Sequence, residues 1–393
     1  MLRARLWTLR RGEPRWAELQ RLWSQAEAHP ELRDRLSGTL SDDDRIRLVV
    51  SGKDAFAERE ALYASAKRSI DIATYYIQSD ATGHATVCAL EACVARGIRV
   101  RLLVDRYMMS RKTAEVEGME RLEARIRDAG VALRAWHDAA RPFDSNHRKM
   151  ILIDGRRALV GGRNFADHYR GDKWRDVDLV LEGPSVAPLV PLFQQLWDGL
   201  PDGRICDERS HWVESTPRTI RDDPVVLGLI SAVGVARCAI DLELAYFVAH
   251  DSICDALAHA SARGVRVRLL TNSAESNDLP FAAWTTYVGV RRVLEKGGLA
   301  YARRGAGRTL HPKYVVVDGE WVTFGSHNLD YYSPRYCGEL NLQVRCARFG
   351  GLLTEQFERG VAEASALTLD EVSRWLAEHR ALELFDRVFR DFQ

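Results

Sequence analysis

The chain has 393 residues, enough for two or three domains with real cores. Hydrophobic residues make up 46% and charged residues 28%, a globular balance that excludes a disordered or collagen-like chain. The net charge of +1 excludes the global basic field of a protein held on nucleic acid by electrostatics alone, although a local basic groove stays open.

The first 44 residues hold Trp7, Trp16 and Trp23 among many Arg. They read as a helical extension, either packed on the adjoining domain or turned to a membrane surface. They lack the apolar stretch of a signal peptide, and no apolar run is long enough to span a bilayer. The seven cysteines form no CxxC pair and no Cys/His metal spacing. Reduced, mostly buried thiols in a cytoplasmic protein are therefore expected.

From residue 45 onward the chain repeats itself. ALEACVARGIRVRLLVD (89–105) returns as ALAHASARGVRVRLLTN (256–272), identical at ten of seventeen positions. Two copies are too few for a solenoid and point to a duplicated, two-lobed protein. SIDIATYYI alternates and reads as a strand. The segment ending at Gly97 reads as a helix and IRVRLLVD as the next strand. A helix over about 113–129 leads to the strand VALRAW. KMILID and RALVGG then form a hairpin about Asp154-Gly155. The second half follows the same order: AIDLELAYFV, RVRLLTN, a helix over about 282–296, LAYARR, and a hairpin about Asp318-Gly319. TLDEVSRWLAEHR reads as an amphipathic closing helix capped at Thr368 or Asp370. The expected fold class is α/β, with central sheets flanked by helices. The expected division is an extension over 1–44, a first lobe over 45–215, and a second lobe with a C-terminal helix over 216–393.

Each half carries one His-x-Lys-x-x-x-x-Asp stretch. The first is His147, Lys149 and Asp154 in HRKMILID; the second is His311, Lys313 and Asp318 in HPKYVVVD. A glycine turn ending in Asn follows each: GGRN at Asn164 and GSHN at Asn328. The chain uses 49 Arg and only 7 Lys, yet keeps Lys at both motifs. Lys is a compact point charge where Arg is a wide fork.

These residues suit phosphodiester chemistry. A neutral imidazole can attack phosphorus and later leave. A second imidazole can protonate the departing alkoxide and deprotonate the acceptor. Lys and Asn can hold the non-bridging oxygens as charge develops. Asp176, 29 residues after His147, and Glu339, 28 residues after His311, are the candidate acids that orient the imidazoles, with Asp178 competing at the first. Asp154 and Asp318 read as structural turn residues. No metal cage is evident, so metal-independent chemistry without a cofactor is expected. His327, inside GSHN, is a residue that could touch substrate; His84, His168 and His250 also lie near motifs or strand ends.

The doubled HxKxxxxD with its glycine–Asn turn resembles the phospholipase D superfamily. YYIQSDATG, WRDVDLVLEGP, AYFVAHDSICDAL, LTNSAESND and GSHNLDYYSPRYCGELNL make the chain most similar to the bacterial cardiolipin synthases. The resemblance implies two phospholipase D-like lobes related by pseudo-twofold symmetry, with the active site at their interface. It implies phosphatidyl transfer between phospholipids such as phosphatidylglycerol through a phosphohistidine. His147 would be the nucleophile and His311 the acid–base, with Lys149, Lys313, Asn164 and Asn328 gripping phosphate. The implied partners are phospholipids at the inner face of the cell membrane, met peripherally. A phospholipase D or nuclease using water is the competing reading, and an inactive lipid-binding scaffold a further one. The near-neutral charge argues mildly against nucleic acid.

Overall fold

The computed structural model describes residues 38–106, 116–139, 141–142, 144–199, 212–215, 223–248, 250–279 and 282–383. The Trp- and Arg-rich start and the last ten residues lie outside them, as does the beginning of the helix expected from 113.

The chain divides into two compact units. The first comprises residues 40–216 and 336–340; the second contains 217–335 and the chain from 341. Residues 336–340 follow the second motif in sequence but belong by contact to the first unit.

In the first unit, β1 (Arg45–Val49), α1 (Gly52–Ser65), β2 (Ser69–Thr74), α2 (Ala81–Ala95), β3 (Arg99–Asp105), α3 (Val116–Asp128) and β4 (Ala132–Trp136) precede the first motif. The short β5 (Ser145–Asn146), the hairpin β6 (Met150–Ile153) and β7 (Arg157–Gly161), β8 (Asp178–Glu182), α4 (Leu189–Trp197) and β9 (Trp212–Ser215) follow. The sheet order is β1-β8-β7-β6-β2-β3-β4. β2, β3 and β4 are parallel, whereas β6, β7, β8 and β1 join antiparallel.

The second unit repeats that plan. α5 (Pro224–Gly234), β10 (Ala239–Leu244), α6 (Asp251–Ala262), β11 (Arg266–Asn272), α7 (Ala282–Glu295) and β12 (Leu299–Arg303) lead to β13 (Lys313–Val317) and β14 (Trp321–Gly325). β15 (Cys337–Arg345), α8 (Ala347–Ala362), β16 (Ser365–Leu367) and α9 (Leu369–Glu378) complete it. Its order is β16-β12-β11-β10-β13-β14-β15, with β10–β12 parallel and the rest antiparallel.

The central strands are apolar on both faces, as helix-covered sheets require. Ile70, Ile72, Leu102, Val104, Ile151, Ile153 and Leu159 are buried in one core, and Leu242, Leu269, Val315 and Val322 in the other. α9 starts as the sequence predicts: the Thr368 hydroxyl accepts from the Glu371 N–H at 3.2 Å. It packs on α7 through Trp375, whose ring lies 4.6 Å from that of Tyr287.

Both hairpins turn through residues of positive φ: Asp154 at 55° and Gly155 at 67°, Asp318 at 53° and Gly319 at 72°. Positive φ at both positions defines a type I′ turn, whose twist matches that of the flanking strands. The two Asp side chains then do more than turn the chain. Asp154 accepts from the N–H groups of Lys67, Arg68 and Ser69 at 2.7–3.0 Å, clamping the segment that enters β2. Asp318 does the same for Arg237, Cys238 and Ala239 at 2.7–2.9 Å, at the start of β10. Partial burial pushes the Asp154 carboxyl up, but the three backbone donors, aided by the Arg68 charge, outweigh it and leave the pKa below its ordinary value.

Candidate active site

Between β5 and β6, His147 and Lys149 both face the Tyr75 ring, whereas Arg148 turns to Glu214. The residue just before each motif His is tied to the end of a central strand. In the first unit the Asn146 N–H donates to Asp105 Oδ2 at 2.7 Å. In the second, Asn272 accepts from the Leu310 N–H at 2.8 Å and donates to its carbonyl at 2.7 Å. Asp105 and Asn272 are the last residues of the internal repeat, so the repeated strand delivers each motif to an equivalent place.

His147 Nδ1 lies 2.9 and 3.0 Å from the two carboxylate oxygens of Glu339, which is fully buried. Only an Nδ1–H donor satisfies that carboxylate, which places the imidazole lone pair on Nε2. The Tyr75 ring meets the imidazole edge-on with centroids 5.0 Å apart. The His147 N–H donates to the Gly338 carbonyl at 2.9 Å, so backbone and side chain both tie the motif to residues 338–339.

The pairing of acids and imidazoles therefore differs from the one that spacing suggested. Glu339, expected beside His311, is hydrogen-bonded to His147 instead. Asp178 is committed elsewhere: Oδ2 accepts from Arg163 Nη1 at 3.0 Å. Its burial raises its pKa against the opposing charges of Arg163 and Arg59. Asp176 is buried and accepts through Oδ1 from the Val177 N–H at 2.9 Å. These two carboxylates explain the double glycine of GGRN. A Cβ on Gly161 would sit 2.0 Å from Asp178 Oδ1, and one on Gly162 would sit 2.7 Å from Asp176 Oδ2.

The two lysines are held alike. Lys149 Nζ donates to the His147 carbonyl at 2.6 Å, and Lys313 Nζ to the His311 carbonyl at 2.7 Å. Each ammonium is thus folded back onto the residue whose imidazole it accompanies. Lys149 also lies 5.3 Å from the centre of the Tyr75 ring. His311 and Lys313 are both buried.

The Asn164 amide is fixed at both ends: Oδ1 accepts from Thr74 at 3.2 Å, and Nδ2 donates to the Tyr169 hydroxyl at 2.8 Å. Arg59, inserted between the Phe56 and Phe165 rings, donates to its carbonyl at 3.0 Å. Asn328 differs. Its N–H donates to the Ser333 hydroxyl at 3.3 Å, and its buried Oδ1 makes no hydrogen bond among the described residues.

His327 is fully buried, and both ring nitrogens meet protein groups. Nδ1 accepts from the Leu329 N–H at 2.9 Å, and Nε2 lies 3.3 Å from Asp223 Oδ2. A substrate contact is therefore not what this imidazole makes. His250 is also buried, stacked on Tyr331 with centroids 4.6 Å apart, and Nε2 donates to the Asp330 carbonyl. His168 lies against Tyr169, Trp174 and the Tyr76 hydroxyl, and His84 against Ser79.

Among the described residues, no group of three or more His, Cys, Asp or Glu side chains has the arrangement of a metal site. No described helix is long and apolar enough to cross a membrane.

A family profile described as "Cardiolipin synthase, PLD-like domain" matches residues 60–197 and 229–361, one block in each half of the chain. The chain belongs to this phospholipase D-like family. The cardiolipin synthase of Listeria innocua is 24% identical over 353 residues, covering 84% of this chain and 71% of that protein. Cardiolipin synthase A of Pseudomonas syringae is 28% identical over 335 residues, covering 76% and 65%. Among solved structures, the phosphatidylserine synthase of Haemophilus influenzae matches with a TM-score of 0.75 at 14% identity, over 94% of this chain and 99% of that one. A polyphosphate kinase of Porphyromonas gingivalis matches with a TM-score of 0.57 at 17% identity, over 80% and 50%. These structural likenesses show that the α/β fold is shared with both, and one fold carries more than one chemistry.

Proposed function

We propose that this phospholipase D-like protein is a cardiolipin synthase-like phosphatidyltransferase. His147 Nε2 attacks the phosphorus of a donor phospholipid such as phosphatidylglycerol. A nitrogen–phosphorus bond forms, the phosphorus–oxygen bond to the headgroup alcohol breaks, and His311 gives that alkoxide its proton. His311 then takes the proton of a second phospholipid's hydroxyl, whose oxygen attacks phosphorus and releases His147. Lys149, Lys313, Asn164 and Asn328 hold the non-bridging oxygens, and Asp176 serves beside Glu339 as an orienting acid.

The observation that carries this reading is the His147–Glu339 pair. A carboxylate on Nδ1 fixes the tautomer, leaves Nε2 as the attacking nitrogen and stabilises the cationic ring that forms on attack. The substrate class rests on the family and on the cardiolipin synthase relatives. The chemistry needs no metal, because the cationic lysines neutralise the phosphate and the amides donate hydrogen bonds to it. Phospholipid is met at a membrane surface, peripherally and from the inner face.

Purified protein with labelled phosphatidylglycerol vesicles in EDTA tests the proposal, with His147→Ala and His311→Ala as controls. Cardiolipin formed by the wild type and lost in both variants is the expected result. Phosphatidic acid alone would make the protein a hydrolase. Untouched lipid with cleaved single-stranded nucleic acid would replace the proposal by a nuclease.

A further inference from the structure

Arg148, the spacer between His147 and Lys149, is fully buried. Its counterpart in the second motif is Pro312, so the repeat does not demand it. Its Nη1 donates to Asn146 Oδ1 at 2.9 Å, and its Nη2 donates to the carboxylate of Glu214, a buried residue of β9. The flat guanidinium lies directly against Gly338. A Cβ there would come within 2.0 Å of Nη1 and 2.5 Å of Cζ. Asn146 and Gly338 are themselves paired across β5 and β15, and the next residue after Gly338 is Glu339.

A buried arginine needs a reason, because an ion pair out of water is costly and often no more stable than apolar packing. Here the reason lies in what the pair supports. We infer that Arg148, Glu214 and Gly338 form a bracket that seats the 337–339 segment against the first motif and so sets Glu339 on His147 Nδ1. They are positioning residues: they act through Glu339 and touch neither the imidazole nor the phosphate. The inference rests on the proposed role of His147, but the geometry it explains does not. The bare glycine admits the guanidinium, the fork of Arg148 joins Asn146 to Glu214, and the bridge to Gly338 then fixes the height of the neighbouring carboxylate. Lys at 148 would supply charge without the two-armed reach.

The test uses the full chain with ring-15N histidine, His147 being assigned through His147→Asn. The variants are Glu214→Gln, Arg148→Met, Arg148→Lys, Gly338→Ala and the double Arg148→Met/Gly338→Ala. Two signals are read: the His147 Nδ1–H resonance, and kcat and KM separately for phosphatidylglycerol. Glu214→Gln and Gly338→Ala are expected to lower kcat by about 10- to 100-fold with KM within about threefold, and to shift or erase the Nδ1–H signal. Arg148→Lys should not restore either. The double variant should do better than the product of its single effects, because Met removes the atoms that a Cβ at 338 meets. A bracket that merely stabilises the fold would lower the melting temperature while leaving kcat and the Nδ1–H signal intact, and that result overturns the inference. If the wild type turns over no phospholipid, the functional proposal fails alone. The resonance then still decides the bracket, which is upheld if the variants disturb it and overturned if they do not.

Discussion

Asp154 and Asp318 belong to the motifs by sequence but to the scaffold by geometry, and replacing them separates the two roles. Each carboxylate accepts three backbone N–H groups. For Asp318, Oδ1 takes Cys238 at 2.7 Å and Ala239 at 2.9 Å, and Oδ2 takes Arg237 at 2.8 Å. Asp318→Asn keeps one oxygen on two donors and turns an NH2 against the third. Hydrogen bonds to a charged group contribute roughly 1.5–3 kcal/mol each, and the exposed setting calls for the low end. Asn should therefore cost about 2 kcal/mol. Ala removes all three bonds and with them the local side-chain hydrogen bonding that lets Asp hold positive φ, for about 4 kcal/mol. A domain holds roughly 5–15 kcal/mol in total, so both variants should fold at room temperature. Asp154 lies five residue steps beyond Lys149, about 17 Å at the rise of a strand. That is too far for the carboxylate to reach a phosphate held at the lysine. Urea unfolding followed by tryptophan fluorescence, with kcat measured on the folded fraction, should give lowered midpoints and kcat within about threefold for Asp154→Asn and Asp318→Asn. A kcat lowered about 100-fold with an unmoved urea midpoint would refute the reasoning and put these acids in the chemistry.

Glu339→Gln should lower kcat by about 10- to 100-fold while leaving KM near the wild-type value, since it weakens the carboxylate on Nδ1 of the proposed nucleophile. Stopped-flow assays on phosphatidylglycerol micelles would read it, and a pure KM effect would contradict it. Asn164→Ala should cost about 100-fold in kcat, the scale of one lost donor to a developing phosphoryl charge. Activity should survive dialysis against EDTA, and its loss with recovery on adding a divalent ion would contradict the lysine-and-amide account. His250 supplies a pH test. Burial, helped by the charge of Arg335 and opposed by the hydrogen bond to Asp330, pushes its pKa down to about 3. The unfolded chain binds a proton below pH 6.5 that the folded one refuses, so stability falls as pH drops, at about 1.4 kcal/mol per unit. Near pH 5 the loss is about 2 kcal/mol from this ring. His250→Phe should flatten the urea-midpoint profile between pH 7 and 5, and an unchanged slope would rule out His250 as its source.

Elements with a strong local signal were legible in the sequence. The period-two strands, the two Asp-Gly turns and the Thr368 cap each depend on neighbours within a few residues. The internal repeat exposed the doubled plan because both copies keep the strand that ends at Asp105 or Asn272. What could not be read is what depends on distant chain. Glu339 reaches His147 across 192 positions, and spacing within one half cannot say which copy an acid will serve. Nothing in the sequence near Arg148 shows that it is buried against Gly338, 190 positions away. His327 reads in the sequence as a residue that could touch substrate, but its partner Asp223 lies 104 positions away. Only the mismatch of HRK with HPK hinted that the two motifs are supported differently.

The third position of the two glycine–Asn turns shows how the halves kept one design with different chemistry. Arg163 in GGRN reaches the carbonyl of Val50, just before Ser51, which caps α1; it also donates to the Asp176 carbonyl at 2.9 Å and to Asp178 at 3.0 Å. His327 in GSHN faces Asp223, whose side chain caps α5 by accepting from the Val226 N–H at 2.9 Å. Each side chain ties the turn that presents Asn164 or Asn328 to the start of the helix preceding the first central strand. One does it with a fork to carbonyls, the other with an imidazole to a carboxylate. The position therefore anchors Asn and is not a substrate contact. It follows that Asp223→Asn, which keeps the helix cap but removes the charge facing His327, should loosen Asn328 while sparing the helix. Helicity by circular dichroism should hold and kcat should fall by about tenfold, the lower end for a support of a catalytic group. A loss of helicity in proportion to activity would instead mean that Asp223 matters only as a cap.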